Sequence, residues 1–199
     1  MFSKYEVYTT TQSIYCYKDT NVLRNKLNIK DLETLKNAED EITLVKQMEL
    51  LQNPIKGSFT KSHLFNIHKF IFGDIYSFAG KIRNEDISKG TTTFYPSELI
   101  NRELDKVFLK IKEENMIRET DRDKVINNLA YVMAELNIIH PFREGNGRSI
   151  REFIRVLAKR CGYDLNWGNV DSEKLLEASI ESVDDYSVLI DVLELCINK

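Results

Sequence analysis

The sequence predicts an all-α protein: a helical bundle that carries one short β-hairpin. Three features lead there. Seven separate stretches repeat apolar residues at helical spacing, one segment alone switches to strand formers, and no internal repeat or low-complexity run breaks the pattern. At 199 residues, 42% hydrophobic and 30% charged, the chain is long enough for one core and ordinary in composition. A single domain over residues 18–199 is therefore expected behind an extended arm at 1–17.

Charge and cysteines narrow the class further. A net charge of −3 argues against general binding to nucleic acid or to an anionic membrane. Cys16, Cys161 and Cys196 are far apart and lack C-x-x-C spacing, which predicts packed, reduced thiols instead of a zinc site or disulfide framework. No apolar run approaches the ~20 residues of a membrane span, and the polar opening lacks a signal-peptide core. The expected setting is a cytoplasm, the cell's own or, after export, another cell's.

Along the chain, Tyr5, Tyr8, Tyr15 and Tyr17 among threonines favour extended structure. Residues 30–52 read as a helix capped by Asp31, with Leu35, Ala38, Ile42, Val45 and Met48 as its core stripe and Asn53 and Pro54 as its stop. A second helix over 60–73 has Thr60 as cap, Leu64, Ile67 and Ile71 inward, and Gly73 at its exit. His63 and His68 on it are five apart, do not share a face closely, and predict packing over ligation. Tyr76 and Phe78 mark a tight aromatic connection. Ile87 and residues 91–95 then flank Ser88, Lys89 and Gly90 as a hairpin.

Ser97 is the expected cap of a helix over 97–116, and a further helix over 121–139 turns Val125, Leu129, Val132, Met133 and Leu136 to the core. Ile150, Phe153, Ile154, Leu157 and Cys161 form the next stripe, stopped at Gly162. Residues 164–170 read as an irregular bridge, and helices over 172–182 and 184–197 complete the bundle.

Between the two central helices stands H-P-F-R-E-G-N-G-R-S-I-R, His140 to Arg151. Pro141 ends the incoming helix and predicts an extended His140 at its exit. Gly145 and Gly147 permit positive φ and close backbone approach, while Asn146 tolerates the left-handed region, a composition that aims N–H groups at an anion. The next helix opens directly from this turn and adds its positive dipole end. Arg148 and Arg151, three apart, share a face of its first turn, where two cations suit a polyphosphate better than an empty helix. Glu144 is a hard oxygen ligand of the kind Mg²⁺ takes beside phosphates, and His140 is the group suited to proton abstraction near neutral pH. Because the G-N-G follows a helix and no G-x-x-x-x-G-K-[ST] string is present, neither a P-loop nor a Rossmann site is indicated.

This stretch resembles the signature of the Fic family, H-x-F-x-[D/E]-G-N-G-R-x-x-R, and matches every specified position: His140, Phe142, Glu144, Gly145, Asn146, Gly147, Arg148 and Arg151. The segments Y-S-F-A-G-K-I-R, ending at Arg83, and D-I-S-K-G, ending at Gly90, are similar to upstream segments of bacterial members, so the likeness covers most of the chain. It implies a Fic-type bundle whose hairpin is a flap over the active site, docking a target protein by strand addition. It implies ATP and Mg²⁺ as co-substrate and cofactor, His140 as base, Glu144 as metal ligand, and Phe142, Gly145, Asn146, Gly147, Arg148 and Arg151 around the nucleotide, with Lys89 and Gly90 near it at the flap turn.

The implied activity is transfer of AMP from ATP to a Ser, Thr or Tyr hydroxyl of a target protein. The branch of the family that phosphorylates its target has a larger residue, usually Lys, at the position of Gly147 and does not retain Gly145; here both glycines stand. Transfer of another nucleotide or phosphoryl-containing group by the same loop, removal of AMP from modified proteins, and a helical module that binds nucleotide or partner without turnover are the alternatives. The family's inhibitory string [S/T]-x-x-x-E-[G/N] is absent, since Lys110 and His140 stand where Ser or Thr is required. The resemblance then implies a toxin-like activity restrained in trans by a small antitoxin-like protein.

Overall fold

The computed structural model describes residues 13–90 and 92–198. Among these, α1 (Leu32–Gln52), α2 (Lys61–Phe72), α3 (Ile100–Glu113), α4 (Arg122–Ile139), α5 (Asn146–Arg160), α6 (Ser172–Glu181) and α7 (Ser187–Cys196) form the bundle. The strands β1 (Ser88–Lys89) and β2 (Thr92–Thr93) pair antiparallel as the expected hairpin, with Ser88 opposite Thr93 and Lys89 opposite Thr92. At the centre α4 packs on α5, flanked by α2 against α5 and α7 against α4. Leu129, Val132, Met133 and Leu136 of α4 and Ile150, Phe153, Ile154 and Leu157 of α5 are buried at this core. The site loop is simply the link between these two best-supported helices. No helix among the described residues is long and apolar enough to cross a membrane.

Asp31 caps α1 as expected, its Oδ1 accepting from the Thr34 N–H at 2.8 Å, and Asp121 caps α4 in the same way. The stripe expected on α1 is rotated. Its buried residues are Leu35, Glu39, Thr43 and Leu50, while Val45 and Met48 are 55% and 56% exposed. The reason is polar: Glu39 and Thr43 turn inward to meet Arg148 of α5. Ser97 does not cap α3 with its side chain; it opens a 3-10 turn (Ser97–Leu99) after Pro96, and its N–H donates to Asp86 Oδ1 at 2.6 Å.

Residues 164–170 are more ordered than an irregular bridge. Asp164–Leu165 (β3) pairs antiparallel with Ile197–Asn198 (β4), so the last helix stops at Cys196. A two-residue strand is too short to show alternation. All three cysteines are buried free thiols. Of the N-terminal tyrosines, Tyr5 and Tyr8 lie outside the described residues. Tyr15 packs edge-on to Phe78 at 5.2 Å and accepts from the Asn84 N–H.

Candidate active site

His140 is where α4 stops. Its N–H still reaches the Leu136 carbonyl at 3.1 Å, but its backbone is left-handed, with φ 48° and ψ 61°, and not the extended form that a following proline predicts. A left-handed residue without a glycine's freedom costs roughly 1–3 kcal/mol and persists only where surroundings hold it. Here the ring stacks on Phe94 beside the hairpin, centroids 3.7 Å apart and planes 16° apart, and Arg83 grips the His140 carbonyl at 2.8 Å.

Nδ1 lies 3.1 Å from the Asn137 carbonyl oxygen. A carbonyl can only accept, so Nδ1 carries the proton and Nε2 is the basic nitrogen. Burial, with the charges of Arg83, Lys89 and Arg143, pushes the imidazole down to about 3, against a smaller opposing effect of the Asn137 bond. The ring is neutral at physiological pH.

The loop beyond it is braced from below. Asn146 closes it on itself: Oδ1 accepts from the Phe142 N–H at 2.8 Å and Nδ2 donates to the Phe142 carbonyl at 2.7 Å. Phe142 is fully buried, stacked on His68 with centroids 3.8 Å apart. Both nitrogens of His68 are committed, Nδ1 accepting from the Gly80 N–H and Nε2–H donating to the Glu144 carbonyl, and burial pushes this ring down to about 4. Phe142 and the Asn146 amide, expected around the nucleotide, brace the loop through these contacts, and Asn146 also lines the cavity. Gly145 has φ +81°, and a Cβ there would stand 2.2 Å from the Phe72 ring. Gly147 is helical and does not use the positive φ that a glycine permits; its lack of a side chain leaves room for Arg151, whose Nη1 would lie 3.2 Å from a Cβ.

The two arginines have separate roles. Arg148 is 8% exposed and points into α1, where it pairs with Glu39, donates to Thr43 Oγ1 at 3.0 Å and lies 3.8 Å from Glu144 Oε1. Tyr76 donates its hydroxyl to the same Glu39, and the Phe72 ring lies 4.7 Å from the guanidinium. Arg148, expected at the phosphates, thus has two of its guanidinium nitrogens engaged by Glu39 and Thr43 while it also lines the cavity. Arg151 makes no ion pair among the described residues, and burial together with the Arg148 charge pushes its guanidinium down to about 10. Glu144 is raised by burial and by the charge of Glu39, although Arg148 and the Gly145 N–H, 2.9 Å from its Oε1, favour the ionised form.

These groups line one cavity of about 550 Å³. His140, Glu144, residues 145–147, Arg148 and Arg151 form its floor, Lys89, Thr92 and Phe94 its hairpin side, and Leu175, Leu176, Ile180 and Val183 an apolar wall opposite. Gly90, with φ +57°, makes the hairpin turn and is not on the wall. No group of three or more His, Cys, Asp or Glu that could hold a metal occurs among the described residues. Glu144 alone nonetheless fits Mg²⁺, which takes one or two carboxylates and fills its shell with phosphates and water. Sequence reasoning missed Glu39, Arg83 and the apolar wall, whose spacing looks like ordinary packing.

The fold and the site define a helical class, a bundle whose central interhelical turn lines a cavity beside a short hairpin. The family model described as Fic/DOC matches residues 58–158. The chain belongs to the Fic/DOC family. It is 37% identical over 175 residues to protein adenylyltransferase VbhT of Bartonella schoenbuchensis, covering 88% of this chain and 37% of that protein. Against the probable protein adenylyltransferase Fic of Escherichia coli it is 31% identical, covering 83% of this chain and 82% of the relative. Among solved structures it superposes with TM-score 0.85 and 26% identity on the N-terminal Fic domain of a VirB-translocated Bep effector of Bartonella quintana with bound ADP, covering 92% and 94% of the two chains.

Proposed function

We propose that this chain is a protein adenylyltransferase that moves AMP from ATP to a Ser, Thr or Tyr hydroxyl of a target protein. One observation carries the reading. A neutral imidazole, its tautomer set by Asn137, lines the same cavity as the 145–147 turn and Arg151, a cation without a carboxylate partner among the described residues. Relatives named as protein adenylyltransferases and a related domain solved with ADP support it.

In this account the helix N-terminus and Arg151 bind the triphosphate, and the apolar wall of α6 receives the base. His140 Nε2 takes the proton of the target hydroxyl as its oxygen bonds to the α-phosphorus. The bond from that phosphorus to the bridging oxygen breaks, and pyrophosphate leaves. Proton transfer of this kind is worth about 10²–10⁴-fold, and donors preorganised for the phosphate oxygens supply much of the rest. Glu144 would hold Mg²⁺, which would neutralise phosphate charge. The hairpin, set beside His140 by Phe94, would align a target segment by strand pairing. The setting is a cytoplasm, where ATP and Mg²⁺ are supplied. Intact mass spectrometry of lysate proteins after incubation with the chain, ATP and Mg²⁺ tests the reading: an AMP adduct is expected, and unmodified masses throughout would refute it.

Arg151→Ala should weaken ATP more than ADP, by about 1.5–3 kcal/mol for the lost charged bond, as titration calorimetry would show. An unchanged ATP/ADP ratio would remove Arg151 from the terminal phosphate. Restraint would come from a separate small protein that presents a glutamate to Arg151. A helical peptide carrying [S/T]-x-x-x-E-[G/N] should then inhibit in competition with ATP, and indifference to it would dismiss this mode of control.

A further inference from the structure

The last carbonyls of a helix have no partner within it, and α4 ends where the following proline offers no N–H. Arg83 supplies what is missing. Its backbone N–H donates to the Pro141 carbonyl at 2.9 Å, its Nε to the His140 carbonyl at 2.8 Å, and its Nη2 to the Ile139 carbonyl at 3.3 Å. The same guanidinium reaches both feet of the hairpin, Nη1 donating to the Glu85 carbonyl at 2.7 Å and Nη2 to the Tyr95 carbonyl at 2.5 Å. Arg83 is 1% exposed, so no water substitutes for these bonds.

We infer that Arg83 is a positioning residue for the transfer reaction, one fork that holds His140 in its left-handed conformation and fixes the hairpin's distance from the imidazole. The inference rests on His140 being the base. The rigid fork of five N–H donors matters as much as the charge, because an ammonium cannot reach carbonyls of α4 and both hairpin feet together. With Arg83 gone, the strain at His140 is unopposed and Phe94 is no longer held over the ring. A displacement near 1 Å at the reacting groups lowers a rate by about 10²-fold.

The test uses the whole chain with Arg83→Lys and Arg83→Ala. Expected for Arg83→Lys is a kcat lower by about 10²-fold, an ATP dissociation constant changed by less than roughly threefold, and faster amide exchange at residues 86–95. Guanidinium at non-denaturing concentration should restore part of the Arg83→Ala rate, while the same concentration of sodium chloride should not. Transfer by Arg83→Lys at the wild-type rate would overturn the inference, as would rate and ATP affinity falling together without guanidinium rescue. Should the wild-type chain transfer nothing, the functional reading fails instead, so the two failures are distinct.

Discussion

Replacing Arg148 with alanine should cost about 3–5 kcal/mol of stability, the usual consequence of removing one partner of a buried ion pair. The guanidinium sits between Glu39, itself 4% exposed, and Glu144. Without it Glu39 and Glu144 lose the cation between them, and Tyr76 and Thr43 lose the network that ties α1 to α5. Urea denaturation would measure the loss, and pairing the change with Glu39→Gln should recover part of it, because one orphaned charge is then gone. If Arg148 served chiefly to bind phosphate, the single variant would stay within about 0.5 kcal/mol of wild type and lose ATP affinity instead.

His140→Ala should lower kcat by about 10²–10⁴-fold while ATP binding stays within roughly threefold, because the imidazole acts on the hydroxyl and not on the triphosphate. Equal loss of binding and turnover would refute its role as base. The pH profile adds an independent check. A base works deprotonated, so its rate limb lies at its own pKa; burial and three neighbouring cations push His140 down to about 3. For the free protein, kcat/KM should therefore not fall as pH drops through 6.5, where an ordinary histidine would protonate, and a limb near 6.5 would contradict the assigned environment.

Much of this was legible in the residues. Helix stripes and the cap at Asp31 made the bundle legible because periodicity and capping are local, and the signature from His140 to Arg151 marked the site because its residues are contiguous. Long-range pairings left no such trace. Glu39 and Thr43 lie off the apolar stripe of α1 and are buried because Arg148, more than a hundred positions later, meets them. Arg83 looks like any loop arginine until the end of α4 and the hairpin converge on it. The left-handed His140 escaped because Pro141 alone predicts extension, whereas Phe94 and Arg83 jointly hold the alternative.

The central claim is that the α-phosphorus, and not the terminal one, passes to protein. Parallel incubations with lysate, Mg²⁺ and ATP labelled on either the α- or the γ-phosphate test it most directly. Protein-bound label is expected from α-labelled ATP and radioactive pyrophosphate from γ-labelled ATP. Protein labelled from the γ-position would contradict it and make the chain a kinase of its target.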